Sequence, residues 1–518
     1  RSTLFPYTTL FRSNQRNKLL EARTLFVNFE GVKWSEIFDK LQLARIAGKE
    51  KKVFFVLEER GKFFKINPEL KQTFLDKYQN FSLFVTDKEI LAVSFIAHSV
   101  DGYGAEKSLV DFLRMLVPKG VLAQVIMPRY GVIEAELVNL PIMTEVIGMP
   151  WNTRPADKLE TDRLKKMIFE KGAEVAIKVG FFGAELIVSN TSVIDEGAWA
   201  AKMLNLPHIW RVLEYGKKEH GINYFNEVTE RIKFINQYSE KILFPSEGLK
   251  DFYGKEVGFE KLVTVPEVFD LEKEARVTRT TKKYFKNKEA LKILIVGNLA
   301  EGKHQEDGIL ALNELKRQGQ KVELLLAGGY DEAYLGKLKR IILENSLGDD
   351  VSVLGYCSDI KQLMWQTDIV LSCSVFESFG RVLVEAMACG KAVVGANSGG
   401  TKELVKDGEN GFLYEPSNYC QLADKLAYFI ENPQAIVQFG KIGYNLVKER
   451  FQVRDTAKRV WEIFREVNKK ANSSGLLGPD QVTLDYLDAF VRETVQEAKL
   501  ISIKCKKNAE QEKKLAVG

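Results

Sequence analysis

Two glutamates eight positions apart, Glu377 and Glu385, lie in the segment SVFESFGRVLVEAMACG. Carboxylates accept hydrogen bonds from hydroxyl groups and offset positive charge, so such a pair could hold a polyol and steady a cation forming beside it. The apolar run just before them, IVLSCS, reads as a buried strand, which leaves Glu377 in a loop. Ser378 and Gly380 suit the turn that opens a helix near Phe379–Arg381, so Glu385 falls about one turn into that helix. Were both glutamates helical, eight positions would set them about 80° apart around the axis. With Glu377 in the loop, both can face one ligand lying across the helix start. The backbone N–H groups of Phe379, Gly380 and Arg381 stand at that start, where the helix dipole favours an anion such as a diphosphate, and Gly380 permits close approach. Glu385 would accept from the vicinal hydroxyls of a ribose. Glu377 would accept from sugar hydroxyls or offset charge developing at an anomeric carbon. Two isolated glutamates fit a helix cap and a solvated helix residue better; the surrounding sequence reverses that.

The elements that must position these residues follow from hydrophobic patterning. From residue 90 the run ILAVSFIAHSV is continuously apolar, the mark of a strand covered on both faces. The glycine-bearing turn and helix DGYGAEKSLVDFLRML come next, then VLAQVIMP, AELIVSN, LPHIWRVLE and KILFPSE as further strands, with DEGAWAAKML as a helix among them. After the charged stretch LEKEARVTRTTKKYFKNKEA the alternation restarts, from LKILIVGNL to GFLYEP. Strands alternating with helices mean parallel α/β sheets, and two in tandem place a ligand cleft between them at the carboxyl ends of the strands. Before residue 90, NKLLEARTLF and WSEIFDKLQLARI look helical and KVFFVLEE and FSLFVT look like short strands. Near the C-terminus, Leu484, Leu487, Val491, Val495 and Ala498 recur at helical spacing and predict an amphipathic helix that packs on the body or contacts a partner.

Composition excludes several classes. With 75 basic against 70 acidic residues, the net charge of +5 is too even for a nucleic-acid binder, although it permits an anionic substrate or contact with an anionic membrane face. The cysteines Cys357, Cys373, Cys389, Cys420 and Cys505 form no CxxC pair and sit mostly in apolar runs, which suits a reducing cytosol and excludes a zinc site. No apolar run reaches the length of a membrane span. The opening RSTLFPYTTLFRS resembles the conceptual translation of a sequencing adapter and is set aside as an artefact. Position 1 is not Met, so a fragment is expected.

FESFGRVLVEAMACGKAVV, with GGTKELV and NGFLYEP after it, resembles the nucleotide-sugar region of glycosyltransferase family 4, a branch of the glycosyl transferases group 1. VGNLAEGKHQEDGILALNEL resembles the first strand-loop-helix unit of that family's donor domain, and DGYGAEKSLVDFL the glycine-rich loop of its acceptor domain. The match covers roughly residues 90–472. It implies an α/β GT-B fold: two tandem Rossmann-like domains whose parallel sheets face a central cleft, with an N-terminal extension and a C-terminal helical tail. The implied division is 1–13 artefact, 14–89 extension of unknown role, 90–270 acceptor-side domain, 271–290 linker, 291–435 nucleotide-sugar-binding domain, 436–472 helices crossing back to the first domain, and 473–518 linker and amphipathic helix.

Carried over by motif, Glu385 resembles the ribose-binding glutamate, Glu377 the glutamate near the donor sugar, and Lys303 the basic residue that neutralises the leaving diphosphate. Gly102 and Gly104 match the loop through which the acceptor domain approaches the donor. Gly297, Asn298, Ser378, Phe379, Gly380 and Arg381 complete the donor-binding set. Two departures stand out. Asn298 occupies the place where the family often has Arg, and Arg211 stands near the place of a family His, followed by Glu214. His98, Arg211 and Glu214 are the acceptor-side candidates, and His208 is a neighbour of them. The resemblance implies a hexosyltransferase that moves a sugar from an NDP-sugar to a glycan, lipid-linked or other hydroxyl acceptor with retention, in surface polysaccharide synthesis. No cofactor and no metal are expected, and LGDDV reads as a turn. The expected place is the cytoplasm, with peripheral contact at the inner membrane face, and no nucleic-acid partner; the C-terminal helix is a candidate contact for a partner or a further domain. The competing readings are an NDP-sugar epimerase of related fold and an inactive binding scaffold.

Overall fold

The computed structural model describes residues 91–140, 142–153, 158–269, 282–357, 359–451 and 453–473, together with two short parallel strands, β1 (Thr24–Phe26) and β2 (Lys52–Phe54). The expected features in residues 1–13, in most of 14–89 and in 474–518, including the amphipathic helix around Leu484–Ala498, lie outside these residues. The end of NKLLEARTLF, which reads as helical, is β1 instead; β-branched and aromatic side chains favour the strand there.

The first sheet contains seven parallel strands in the order β5-β4-β3-β6-β7-β8-β9. They are β3 (Leu91–Ile96), β4 (Val121–Met127), β5 (Met143–Val146), β6 (Leu186–Asn190), β7 (His208–Arg211), β8 (Lys241–Phe244) and β9 (Leu262–Thr264). Helices α1 (Gly104–Leu116), α2 (Lys158–Phe182), α3 (Glu196–Leu204), α4 (Val228–Gln237) and α5 (Glu247–Val257) connect them. Every residue of β3 and β6 is buried, as a strand covered on both faces requires. The edge strands β5 and β9 escape a search for apolar runs because they are short, and β5 is only half-buried.

The second sheet contains six parallel strands in the order β12-β11-β10-β13-β14-β15. They are β10 (Leu291–Val296), β11 (Val322–Ala327), β12 (Val351–Gly355), β13 (Ile369–Ser372), β14 (Ala392–Ala396) and β15 (Gly411–Tyr414), with helices α6 (Gln305–Arg317), α7 (Glu332–Glu344), α8 (Ile360–Gln366), α9 (Arg381–Ala388) and α10 (Tyr419–Glu431). Helix α11 (Pro433–Arg450) stays on this domain, where Val447 joins the apolar cluster of Phe379, Leu383 and Met387. Helix α12 (Val453–Ser473) returns to the first domain: Ala457, Val460 and Phe464 are buried with Phe95 and Phe112.

In each sheet the order reverses beside the first strand, between β3 and β6 and between β10 and β13. The loops that leave these neighbouring strands diverge to opposite faces and leave a crevice at the carboxyl ends, where doubly wound sheets bind ligands. In the second domain the two loops are residues 297–304 and 373–380, which carry Lys303 and Glu377. In the first they are 97–103 and 191–195. Thr191 holds φ at 78° there, an outlier for a β-branched residue, fixed by its N–H donating to Arg211 O at 2.8 Å and its carbonyl accepting from Trp210 Nε1 at 2.6 Å.

Candidate functional site

Lys303 ends a one-turn 3-10 helix, Glu301–Lys303, in the loop after β10. Its Nζ donates to Glu377 Oε2 at 3.1 Å and to Glu219 Oε1 at 3.1 Å. Its side chain is 16% exposed, that of Glu377 15% and that of Glu219 2%. Burial alone would lower the ammonium pKa, yet the two carboxylates raise it above the usual lysine value, so the group stays cationic. Glu377 also accepts the Gly380 N–H through Oε1 at 3.1 Å. The Gly380 amide, expected to hold a phosphate, is thus already engaged: Glu377 caps the helix start and pairs with Lys303 at once. Gly380 itself holds φ at 96°, and a Cβ there would stand 2.8 Å from Leu404 Cδ1, so only glycine fits this turn.

Glu385 lies one turn into α9, facing Arg381. Arg381 Nε donates to Glu385 Oε1 at 3.0 Å, Nη2 to Asp111 Oδ2 at 2.6 Å and Nη1 to Glu267 Oε2 at 3.5 Å, while the guanidinium lies 4.6 Å over the Phe269 ring. Asp111 is on α1, so the side chain of Arg381 joins the domains instead of reaching toward a phosphate. Ser378, next to it, accepts from Ser246 Oγ through its backbone O at 2.5 Å. Glu403 adds a third link: it accepts the N–H groups of Glu247 and Gly248 at 3.1 and 2.8 Å, at the positive end of α5. Phe379 is buried in a stack with Phe269 at 6.0 Å, which leaves its backbone as the part able to meet a ligand.

Gly297 holds φ at 138°. Asn298 is exposed, its carbonyl accepts from Gln305 Nε2 at 2.9 Å, and its side chain lies over Gly329. Gly102 holds φ at 82°, and Gly104 opens α1 instead of remaining in the loop. Tyr103 between them reaches the second domain, where its hydroxyl stands beside Gly329.

The acceptor-side candidates separate. His98, at the end of β3, faces Glu106 at 3.6 Å, and its carbonyl accepts Trp151 Nε1–H at 3.1 Å; it stays at the cleft. Arg211 does not. It is buried over the Phe112 ring at 3.9 Å, donates to Asn190 Oδ1 at 2.6 Å and Ser108 Oγ at 2.8 Å, and pairs with Glu267 at 3.6 Å. Glu214 does not either: buried, it accepts from the N–H and the hydroxyl of Ser192, both at 2.5 Å, and from the Leu213 N–H at 3.1 Å. In both cases the hydrogen-bonding capacity goes to internal partners. His208 is likewise internal, held by Tyr238 O at 2.7 Å and Ser189 Oγ at 2.9 Å, and burial lowers its pKa to about 4.

Glu196, the first residue of α3, is fully buried, and burial pushes its carboxyl up to about 8 from 4.5. A carboxyl raised in the folded state binds more protons than in the unfolded chain between those values, so stability falls as pH rises from 4.5 to 8. Glu196→Gln should remove that decline: thermal midpoints of variant and parent converge near pH 4.5 and the variant is higher at pH 8. Parallel midpoints across this range would refute it.

Glu219, Asp111 and Glu267 are the site-lining residues that sequence reasoning misses. Glu219 sits in the charge run KKEH and Asp111 inside LVDFL, where nothing local marks either acid as the partner of a distant cation.

Residues 277–446 match the family described as Glycosyl transferases group 1. N-acetyl-alpha-D-glucosaminyl L-malate synthase of Bacillus anthracis is 28% identical over 187 residues, 36% of this chain and 48% of that protein. Trehalose synthase of Thermococcus litoralis is 26% identical over 249 residues, 45% of this chain and 59% of that protein. The chain thus spans about half the length of these curated relatives. Among solved structures, HepE of Anabaena in complex with UDP and glucose superposes with a TM-score of 0.60 at 24% identity, over 73% of this chain and 100% of that one. Sucrose-phosphate synthase of Thermosynechococcus elongatus superposes with a TM-score of 0.58 at 18% identity, over 73% and 99%. The group 1 resemblance and the GT-B fold are both borne out.

Proposed function

We propose that this chain, with its group 1 glycosyl transferase segment and GT-B fold, transfers a sugar with retention from a nucleoside diphosphate sugar to a hydroxyl acceptor, as family 4 enzymes do. One observation carries the reading: a half-buried ammonium held charged by two carboxylates, Lys303, sits beside Glu377 at the start of α9, at the strand-order reversal of the second sheet. The diphosphate would lie against Lys303 and the backbone of Phe379 and Arg381, the Gly380 N–H being engaged by Glu377, with the ribose on the Glu385 oxygen not engaged by Arg381. HepE of Anabaena, solved with UDP and glucose, makes UDP the first nucleotide to try.

The chemistry is a front-face displacement. The bond from the anomeric carbon to the phosphate oxygen breaks, and its electron pair stays on the diphosphate. The acceptor oxygen bonds to the same face, and its proton passes to the departing phosphate oxygen. Lys303 stabilises the charge gathering on that oxygen, and Glu377 offsets the oxocarbenium charge. No side chain acts as a dedicated base. Since a lysine and a helix start take the diphosphate charge, transfer is metal-independent. Surface polysaccharide synthesis at the cytoplasmic membrane face belongs to the same proposal; the free thiols of Cys357, Cys373, Cys389 and Cys420 suit a reducing compartment. Among the described residues, no helix is long and apolar enough to cross a membrane.

Incubation with UDP-, GDP- and ADP-sugars should release the nucleoside diphosphate from one donor class, unaltered by EDTA, and give a product with the donor's anomeric configuration by proton coupling. Sugar inversion without nucleotide release would replace the reading with an epimerase, and binding without turnover by a scaffold. Full loss of activity in EDTA would overturn metal independence.

A further inference from the structure

We infer that Glu219, which belongs to the first domain, is a positioning residue that completes the donor site of the second domain only when the two domains are docked. The inference rests on the reading above, in which Lys303 meets the leaving diphosphate. Glu219 lies in the one-turn helix Lys217–His220, which packs on the Glu301–Lys303 turn. Contact between these segments is of backbone on backbone: a Cβ on Gly302 would stand 2.0 Å from Glu219 O and 2.7 Å from its carbonyl carbon. No side chain fits there, so glycine at 302 is a condition of docking. The Glu219 carboxylate is itself fixed, since Oε2 accepts the Tyr215 N–H at 3.2 Å while Oε1 accepts from Lys303 at 3.1 Å. Tyr215 in turn packs its ring 5.8 Å from that of Phe376, next to Glu377.

An ammonium has three N–H donors. Glu377 and Glu219 accept two of them, and that sets the direction of the third. When the domains part, Glu219 leaves with the first domain, Lys303 keeps Glu377, and its four-carbon stem regains rotamer freedom. The groups proposed to hold the nucleotide, Glu385, Lys303 and the backbone of Phe379 and Arg381, all belong to the second domain. Nucleotide binding and donor activation are therefore separable: the second domain binds, and docking aims Lys303. An open site that holds an NDP-sugar would not yet polarise it, which protects the donor from water until the cleft closes.

The test compares Glu219→Gln, Glu219→Ala and Gly302→Ala with the parent, using UDP binding by calorimetry, the kcat and KM of the donor identified by the sugar panel, and the radius of gyration by solution scattering. Glu219→Gln keeps an acceptor oxygen and loses the charge, so it should fall between parent and Glu219→Ala. Glu219→Ala and Gly302→Ala should lower kcat by about 10–100-fold, the scale of a misaimed catalytic group. Their Kd for UDP should stay within about threefold of the parent, a change under 1 kcal/mol. Gly302→Ala should also enlarge the radius of gyration. A raised KM with unchanged kcat, or parental kcat in both Glu219→Ala and Gly302→Ala, overturns the inference. If the parent itself turns over no donor, the functional reading fails on its own; an unchanged radius in Gly302→Ala then still overturns the docking role, and an enlarged one with UDP binding retained upholds it.

Discussion

Lys303→Ala lowers kcat by about 10²–10³-fold, the loss expected when one preorganised donor to a developing oxyanion is removed. The variant loses more than a hydrogen bond. Glu219 and Glu377 both accept from this ammonium at 3.1 Å, and without it two carboxylates face the space the diphosphate would enter. The local charge changes from −1 to −2, counting Lys303, Glu219 and Glu377. UDP binding should therefore weaken along with turnover, unlike in the Glu219 and Gly302 variants. Lys303→Arg keeps the charge on a broader head and should recover part of the binding. The lysine pKa is raised from 10.5, so its stabilising contribution is complete below that pH and is lost only as pH climbs through the higher folded value. A pH profile measured below 10.5 should show no step from this group. Turnover of Lys303→Ala within a few-fold of the parent would remove Lys303 from the mechanism.

Arg381→Met destabilises the protein by about 1–3 kcal/mol, the scale of losing charge-assisted hydrogen bonds at a largely buried guanidinium. Three carboxylates surround the guanidinium: Glu385 on its own helix, Asp111 on α1 and Glu267 just before the linker. Methionine fills the volume over the Phe269 ring and takes the guanidinium away from Glu385, while Asp111 keeps Arg114 at 3.0 Å and Glu267 keeps Arg211 at 3.6 Å. For domains of this size the thermal midpoint should fall by roughly 2–4 °C per kcal/mol. Because Asp111 belongs to the other domain, Asp111→Asn added to Arg381→Met should restore part of the loss, and the double-mutant cycle measures the coupling between domains. A midpoint for Arg381→Met equal to the parent's would show that the network contributes nothing measurable, as many exposed ion pairs do.

These two results would separate what each network does. Lys303 with Glu219 and Glu377 lies at the strand-order reversal of the second sheet, where the proposed transfer would take place. Arg381 with Asp111 and Glu267 links the domains, and meets the proposed donor site through Glu385. Arg211 extends this second network into the first domain through Glu267, at 3.6 Å, which is why a residue standing near the place of a family histidine contributes packing instead of acceptor chemistry.

The residues whose work depends on the local backbone were legible from the chain alone. A continuous apolar run such as LAVSFI must be buried on both faces, so β3, β10 and the alternation around them follow from composition and period. Gly380 before RVLVEAMA announces a left-handed turn and a helix start, and the loop position of Glu377 and the helical position of Glu385 follow from it. What the sequence could not contain was the set of partners. Lys303 meets Glu219 across 84 positions and Arg381 meets Asp111 across 270. Nothing local marks an acid in KKEH or LVDFL as buried, because burial and charge pairing are properties of two surfaces brought together. For the same reason Arg211 and Glu214 looked available in the sequence and are not. Hydrophobic period and glycine placement are short-range consequences of covalent geometry, whereas the electrostatics of this cleft arise only when two domains exclude water from the space between them.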